Sequence, residues 1–501
     1  DDFQEARNLL IKVQNQAEEA KDAQGGIDAK GMEAFIAFRQ GKKDDAIQLY
    51  NTLSSEIERK GEQIADIYKL SGFHQKNYDY LKQAVVCELN NQRIDSAYIK
   101  LDNAKSWVLR SGNVSSSGNG ILENKGGANL DVASLKNQIS DKQLIINYFL
   151  TRDTLYTFTV TRDSIKLLPP KAVRFEALHS LVNAYKGAIN QTIEIFRSQP
   201  TSTFAAHFDS TSALGQRLYD ILFGWPELQS LLNQTEMTYI VPDEFLYGLP
   251  FSTLRKPDNE NFDFLTSQTA LTYLPSTRYF QASSNNADFD SKKVLISVDN
   301  EINETDRLVS FVKKKFPLTT ELAVNKAARN ITKHDILKKL QEQYHIFIFL
   351  GHSEPNTIFP DSSIFEMTAI SLVDSLAMTL PISLGDLKSI NWENAEMVLL
   401  IGCETAQGAI YRGTGIAGIQ QSLLSLGAKE VLASLWKIDA DETVSQINLF
   451  LKLFLQSGNA TLALQEVQNT KVQEFENDNF YKRPHPFIWG SFIHSYTIRH
   501  N

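Results

Sequence analysis

The chain has 501 residues, 42% hydrophobic and 10% aromatic, so it can fill several cores and is not a disordered polymer. Its formal net charge of -9 argues against a nucleic-acid partner, which needs a basic surface. Two cysteines, Cys87 and Cys403, are too few for a zinc cluster or a disulfide framework and suit a reducing cytosol. No apolar run reaches the length of a membrane span, so we expect a cytoplasmic protein without membrane, metal or cofactor.

Residues 1–112 are predicted to be all-helical, because apolar residues recur at helical spacing and proline is absent. Residues 41–47 resemble the turn and second-helix start of a tetratricopeptide repeat, and residues 91–97 repeat that pattern weakly. The alanines of the two segments, Ala46 and Ala97, are 51 positions apart (97 − 46), whereas a regular repeat has about 34. Irregular, lengthened hairpins of this type and a plain helical bundle both fit the pattern.

The middle of the chain begins with a change of composition. Residues 113–127 are rich in Ser, Gly and Asn and predict a flexible linker. Strand-like runs at 143–149 and 154–160 then predict a β-hairpin. A helical stretch follows at 172–233, and a short buried strand at 238–242.

From residue 291 onward, strand-like and helical segments alternate. This alternation predicts a mostly parallel sheet with helices on both faces. The predicted strands are 293–298, 346–350, 397–401 and 430–436, the predicted helices are 335–341, 442–455 and 460–475, and the aromatic C-terminus is predicted to form a last core strand.

Two of these strands end in residues that suit nucleophilic catalysis. The runs at 346–350 and 397–401 are each closed by a glycine, which is followed by His352 and Cys403, respectively. Because chemistry in open α/β sheets collects at the carboxyl ends of strands, both side chains are expected at one edge. Cysteine attacks as the thiolate, which an adjacent histidine can generate or stabilise. The pattern therefore predicts a Cys403 nucleophile with His352 as its base.

Other interpretations of these residues remain open. A cysteine at a strand end is often a small buried hydrophobe, and this is how we interpret Cys87. Residues 413–418 fit G-x-G-x-x-G, but a dinucleotide site needs that pattern directly after a strand, and the preceding strand ends about ten residues earlier. We interpret these glycines as a loop leading into a helix.

Six short segments from residue 240 onward follow a recognisable order. They are IVPDEFLYGLPF (240–251), YLPS (273–276), LIGCETAQG (400–408), GIAG (415–418), GAKEVLASLW (427–436) and HPFIWGSF (485–492). Together they resemble the CHAT family, caspase-like cysteine peptidases of the caspase–separase clan. The resemblance covers residues 128–501 and implies a Cys403/His352 dyad. Members often carry tetratricopeptide-like repeats ahead of the protease, in agreement with the helical prediction.

The resemblance also implies an oxyanion site. The backbone N–H groups of Cys403 and Ser353 would hold the developing negative charge. The family usually has glycine at the position of Ser353, so we expect this side chain to crowd the approach of a substrate. A second histidine often lies four residues before the catalytic one, where this chain has Ile348. His345 lies further back and is interpreted as structural.

The substrate pocket departs from the family pattern. Relatives commonly have an acid four residues after the tryptophan, which selects a basic P1 side chain; here that residue is Ala440, between Asp439 and Asp441. Either acid could hold Arg or Lys, and otherwise the pocket would accept an apolar P1. Glu404 is a further substrate-binding candidate, although it could instead tune the thiolate or be solvated.

These observations predict an all-α helical-repeat domain (1–112), the linker, and an α/β caspase-like region. That region would divide into a pseudo-caspase half (128–290), which lacks a comparable His/Cys pair, and a catalytic half (291–501). The stretch 353–392 is expected to be a mobile loop beside the site. The expected activity is that of a cysteine endopeptidase with one specific protein substrate.

We further expect an activating protein partner to bind the helical domain. By resemblance, the biological setting would be bacterial antiviral defence or programmed cell death. The rival from another functional class is a catalytically silent, protein-binding scaffold, and a third possibility is acyl transfer or amide hydrolysis on a small molecule. Intact Cys403 and His352 favour the enzyme.

Overall fold

The computed structural model describes the chain except residues 1, 65–66, 112–129, 199–200, 258–261, 282–288, 290, 300–304, 325–332, 355, 357–361, 374–375, 403–404, 407, 412–414, 437–439, 478–482 and 498–501. The predicted linker, Cys403, Glu404 and Asp439 therefore lie outside the described residues. The chain forms two compact units. The first has residues 1–137, 163–167 and 411–414, and the second has residues 138–162, 168–410 and 415–501.

The first unit contains five long helices, each packed against the next along the chain. Side chains such as Ile27, Tyr50 and Leu53 lie buried between them, so the helical spacing of the apolar residues corresponds to an inward face. The predicted all-helical region is confirmed, while its assignment to tetratricopeptide repeats stays a prediction. The helices are α1 (Asp2–Glu19), α2 (Ala23–Arg39), α3 (Lys43–Gly61), α4 (Ile67–Asn90) and α5 (Ile94–Ser111).

The two segments that echo each other in sequence form the same kind of helix–helix turn. Gly41 (φ 75°) and Gln92 (φ 60°) both adopt the left-handed backbone conformation, 51 positions apart (92 − 41). In each turn, the N–H of the next residue donates to the carbonyl oxygen five positions back, at 3.0 Å. A left-handed residue commonly closes a helix in this way. The two segments therefore close a helix in the same way, as does the turn at Lys21 (φ 54°) between α1 and α2.

Helix α3 ends in close contact with an aromatic side chain of α5. A Cβ atom added to Gly61 would lie 1.9 Å from Cζ2 of Trp107. The indole is itself packed by Phe73 and His74, whose ring centroids lie 6.1 and 4.9 Å from that of Trp107. Glycine at position 61 thus allows an approach that any side chain would block.

The rest of the chain carries the strands and the remaining helices. The described strands are β1 (Gln143–Leu150), β2 (Thr154–Val160), β3 (Ile165–Leu167), β4 (Lys171–Ala172), β5 (Met237–Val241), β6 (Ala270–Tyr273), β7 (Lys293–Asp299), β8 (Leu318–Val324), β9 (Ile346–Leu350), β10 (Ser353–Glu354), β11 (Ile364–Val373), β12 (Leu376–Ser383), β13 (Met397–Ile401), β14 (Gly408–Tyr411), β15 (Gly415–Gly418), β16 (Glu430–Ser434) and β17 (Phe492–Tyr496). The described helices are α6 (Val132–Gln138), α7 (Phe175–Ser198), α8 (Thr201–Phe223), α9 (Pro226–Leu232), α10 (Leu265–Gln268), α11 (Thr305–Lys315), α12 (Lys333–Leu340), α13 (Leu384–Leu387), α14 (Ile419–Ser425), α15 (Ala440–Ser457), α16 (Ala460–Asn477) and α17 (Pro486–Trp489).

The second unit is organised around one large sheet. Ten of its described strands lie side by side in the order β2-β1-β5-β6-β17-β16-β13-β9-β7-β8. Neighbours run parallel except in the pairs β1–β2 and β16–β17, which confirms the predicted hairpin and the predicted mostly parallel sheet. Of the aromatic residues predicted to form the C-terminal strand, Phe487 and Trp489 lie in α17, whereas Phe492 and Tyr496 lie in a last core strand, β17. It lies between β6 and β16 and so joins strands from both predicted halves into one sheet.

Both faces of the sheet centre are buried, which explains its continuous apolar runs. In β9, Phe347 and Phe349 belong to the core on one face, which also receives side chains from α12, α13 and α14. The intervening residues Ile346, Ile348 and Leu350 belong to the opposite core, beneath α11, α15 and α16. Among the described residues, no helix is long and apolar enough to cross a membrane.

The predicted mobile loop at 353–392 is wrong for most of its length. Strands β10, β11 and β12 form an antiparallel sheet there, which pairs the backbone groups that a loop would leave to water. Helix α13 follows with a capping box, in which the N–H of Ser383 donates to Asp386 Oδ2 (2.8 Å) and the N–H of Asp386 donates to Ser383 Oγ (3.1 Å).

His485, at the start of α17, is fully buried in the second unit. Its Nδ1 accepts the N–H of Phe487 (3.2 Å), so Nε2 carries the proton and donates to Thr192 Oγ1 (3.2 Å). The ring stacks on His207 with a centroid distance of 5.5 Å. Burial, and secondarily the His207 ring, lower the pKa of His485 from its ordinary value of 6.5 to about 3.

We predict that Gly61→Ala destabilises the first unit by about 1–3 kcal/mol, because the new methyl group must displace Trp107. Gly72→Ala is the matched control: a Cβ atom there meets nothing within 4 Å, and alanine favours a helix by up to about 1 kcal/mol. Hydrogen exchange of peptides from α3 to α5 in the full chain measures both changes. Equal protection in the two variants would contradict the close approach.

We predict that the full chain loses stability as the pH falls from 6.5 towards 3, in part through His485. In that window the unfolded chain binds a proton at this residue and the folded chain does not, so the slope is at most about 1.4 kcal/mol per pH unit. In His485→Asn, Oδ1 can still accept the N–H of Phe487 without titrating. Unfolding curves at pH 7 and pH 5 should therefore differ less for the variant than for the wild type, by about 2 kcal/mol. The same difference in both proteins would show that His485 is not buried as a neutral ring.

Candidate active site

The carboxyl ends of β9 and β13 lie side by side in the interior of the sheet. The two strands pair in parallel from Ile346↔Met397 to Leu350↔Ile401. Beyond the last pair, the N–H of Gly351 donates to the carbonyl oxygen of Ile401 at 3.1 Å. The parallel alignment therefore continues one residue past β9, as far as Gly351, which directly precedes His352.

His352 lies at this edge, in the link between β9 and β10, and it is exposed. In sequence it comes two residues after Leu350, as Cys403 comes two residues after the register partner Ile401. The structure thus locates His352 and the strand that leads to Cys403, and the pairing of the two reactive atoms stays a prediction. The carboxyl ends of parallel strands are the usual location of binding and catalytic residues in sheets of this kind.

Gly402 and Ser353 pack against each other at the same edge. A Cβ atom on Gly402 would lie 2.8 Å from both Gly351 O and Ser353 Oγ. Ser353 is only 5% exposed, so its hydroxyl lies in the junction between the two strand ends. Glycine at position 402 thus provides the space that the hydroxyl occupies, while crowding of a substrate by Ser353 stays a prediction.

A buried hydrogen-bond network ties the end of β13 to the end of β16. Ser434 Oγ donates to Gly402 O, and Thr405 Oγ1 donates to Leu400 O at 2.8 Å. The N–H of Ser434 donates to Thr405 Oγ1 (2.9 Å), and the N–H of Ala406 donates to Ser434 O (2.7 Å). Thr405 and Ser434 are both fully buried. The residues on either side of positions 403 and 404 are thus held by β16.

The predicted substrate pocket is described in part. After β16, Trp436 is buried, and its Nε1 donates to Phe487 O at 3.0 Å. Asp441 is exposed in the first turn of α15, where a carboxylate also stabilises the helix dipole. The neighbouring Glu442 pairs with Lys471 at 3.0 Å, so its charge is balanced within the fold. Substrate binding by Asp441 stays a prediction, as it does for Asp439 and Glu404.

His345 lies at the opposite end of β9 from His352. Its Nδ1 accepts the N–H of Lys293 (3.0 Å), and its carbonyl oxygen accepts the N–H groups of Glu396 (2.8 Å) and Met397 (3.2 Å). These bonds tie the amino ends of β7, β9 and β13 together, in agreement with the structural interpretation. Residues 415–418 form strand β15 instead of the expected loop, and α14 begins at Ile419.

Cys87 is a core residue of the first unit, as predicted. It is 1% exposed, and burial together with the nearby Glu88 raises the pKa of its thiol to about 12. A thiol in this state is a poor nucleophile at neutral pH. Cys87 is therefore not a candidate nucleophile.

Sequence reasoning missed the Thr405–Ser434 pair. Both residues lie in quoted motifs, but only strand pairing reveals that they meet, because 29 positions separate them. The sequence does contain a sign of this pair, because each residue carries a hydroxyl group at or just beyond the end of an apolar run. A polar group buried at such a position usually has a hydrogen-bond partner.

The fold resembles chains in two crystal structures of the Saccharomyces cerevisiae separase–securin complex. The structure at 3.0 Å resolution matches with a TM-score of 0.56 and 10% identity, over 99% of this chain and 44% of that chain. The structure at 2.6 Å matches with a TM-score of 0.54 and 11% identity, over 92% of this chain and 38% of that chain. The present chain thus spans less than half the length of those it matches, and at this identity the likeness shows the fold alone. No curated protein gives a significant match.

A domain family matches the chain directly. The CHAT domain matches residues 212–497, more than half of the 501 residues. The matched range contains β9, β13, β16 and all six motif segments. The chain therefore belongs to the CHAT domain family, with a caspase-like fold and a helical region ahead of it.

Proposed function

We propose that this chain is a cysteine endopeptidase with Cys403 as nucleophile and His352 as its acid–base partner. The observation that supports this most is the register of β9 and β13. Leu350 pairs with Ile401, and the two reactive residues each follow two positions later at the carboxyl edge of the sheet. The exposure of His352 leaves its ring accessible to a substrate.

The chemistry follows from these two side chains. His352 takes the proton of the Cys403 thiol, and the thiolate attacks the carbonyl carbon of the scissile peptide bond. The tetrahedral intermediate collapses to a thioester as His352 passes the proton to the leaving amine. A water molecule, deprotonated by the same histidine, then hydrolyses the thioester and restores the thiol.

The negative charge on the carbonyl oxygen needs donors fixed in advance of the reaction. We assign this role to the backbone N–H groups of Cys403 and Ser353. The junction with Gly402 supports the second assignment, because it directs the Ser353 hydroxyl into the packed strand ends.

The P1 pocket is proposed to lie beside the segment that follows Trp436. Asp439 or Asp441 would hold a basic P1 side chain, with Glu404 as a further contact. Asp441 is exposed on this segment, five residues after Trp436. An apolar P1 would instead agree with Ala440 at the position that is acidic in relatives.

Regulation is assigned to the first unit, which we propose binds an activating protein partner in the cytoplasm. The separase chains with the same fold were crystallised with a protein, securin, so this fold is compatible with a protein partner. By family resemblance, the proposed setting is antiviral defence or programmed cell death in a bacterium.

We predict that the wild-type chain generates new termini in a proteome-derived peptide library and that Cys403→Ala and His352→Ala do not. Loss of either group should lower the cleavage rate by about 10²-fold or more. Mass spectrometry identifies the termini, and basic residues before the cuts would assign P1 recognition to an acid near Ala440.

Cys87→Ala is the matched control and should cleave like the wild type, because Cys87 is buried in the other unit. Cleavage that survives Cys403→Ala would refute the proposed nucleophile. If no protein cuts the library, alone or with a candidate partner added, the binding scaffold is the better account.

A further inference from the structure

We infer that Thr405 and Ser434 are positioning residues, whose hydroxyl groups fix the backbone that carries Cys403 so that its sulfur meets His352. The inference rests on the proposed function, since it concerns the same nucleophile. It adds two residues that do not touch the substrate or the reacting atoms.

The two hydroxyl groups hold the chain on both sides of the nucleophile. Ser434 Oγ donates to Gly402 O, immediately before Cys403, and the N–H of Thr405 points to Ser434 Oγ at 3.4 Å, immediately after Glu404. Only positions 403 and 404 separate these two attachment points. Because a three-peptide span fixed at both ends has few accessible conformations, the hydroxyl of Ser434 limits where residue 403 can lie.

Each hydroxyl has one proton, and the geometry accounts for both. The Ser434 proton goes to Gly402 O, and the Thr405 proton goes to Leu400 O at 2.8 Å. Thr405 Oγ1 then accepts the N–H of Ser434 at 2.9 Å. The two hydroxyl oxygens also lie 3.1 Å apart, but neither has a proton left to donate to the other, so we do not count this contact as a hydrogen bond.

The network is anchored in rigid structure. Ser434 ends β16, which pairs in parallel with β13 from Met397↔Glu430 to Leu400↔Ala433 and antiparallel with β17 on its other side. Both hydroxyl residues are fully buried, so water does not compete for their bonds. A displacement of β16 would therefore be passed directly to Gly402 and Thr405.

The test uses a pair of variants that separates the hydroxyl from the shape of the side chain. Thr405→Val keeps the branched shape and removes the hydrogen bonds, whereas Thr405→Ser keeps the hydroxyl. The rate of Cys403 alkylation by iodoacetamide is measured by mass spectrometry from pH 5 to pH 10 in the full chain. Hydrogen exchange of peptides from β13 and β16, which lie in the same unit as Thr405, reports any loss of folding.

We predict that Thr405→Val slows alkylation at pH 7 by about tenfold and moves the pH profile towards that of an ordinary thiol, near pH 8.5. Thr405→Ser should stay within about twofold of the wild type. Alkylation needs no substrate, so a missing peptidase activity and a missing positioning effect are measured separately. With a cleavable peptide, Thr405→Val should lower kcat and leave KM unchanged, because no substrate contact is lost.

Two outcomes would overturn the inference: a wild-type profile for Thr405→Val, or equal slowing in Thr405→Val and Thr405→Ser. If Thr405→Val removes the exchange protection of β13 and β16, the fold itself has failed, and Ser434→Ala takes its place. That variant removes only the hydroxyl of Ser434 and keeps its backbone donor to Thr405. An unchanged Cys403 profile in a folded Ser434→Ala protein would equally reject the positioning role.

Discussion

The parallel pairing of β9 with β13 is the constraint on which the rest of this structure depends. A shift of one residue would turn every side chain of β9 to the opposite face and separate the positions of His352 and Cys403. The shift would place Phe347 and Phe349 beneath α15 and move Ile348 into the other core. Because both cores are close-packed, exchanging phenylalanine for smaller side chains would overfill one core and leave cavities in the other. The packing of the two cores therefore favours the observed register, which aligns the ends of the two strands.

The surrounding strands extend this alignment from the backbone to the site. β16 reaches across to Gly402 and Thr405, and β17 supports β16 from the other side, so the C-terminal motif contributes to the site without lying in it. At the opposite edge, His345 ties three strands at their amino ends. The contacts that hold these strands are thus made by buried groups of β16 and at the amino ends of the strands. The carboxyl edge of the sheet can therefore carry exposed, reactive side chains.

Much of this arrangement could be predicted from the sequence, and the reasons are physical. The His and Cys strands are buried on both faces, so their apolar runs are continuous and their ends are marked by glycine. The hairpin β11–β12 could not be predicted because it is recognisable only from the hydrogen-bonded pairing of its two strands. The position of β17 in the sheet could not be predicted because strand order depends on contacts between residues far apart in sequence. Likewise, the sequence does not reveal the space that Gly402 leaves for the Ser353 hydroxyl, because the two residues meet only when the two strand ends lie side by side.

Proximity of positions 352 and 403 is the central claim, and a short bifunctional thiol reagent tests it most directly. In His352→Cys, the account predicts a cross-linked peptide that joins the introduced thiol to Cys403 in the folded full chain. His345→Cys is the control, because position 345 lies about 23 Å from position 352 along β9 and should give no such product. Separate single labelling of the introduced thiol and of Cys403, without a bridge, would contradict the proposed dyad.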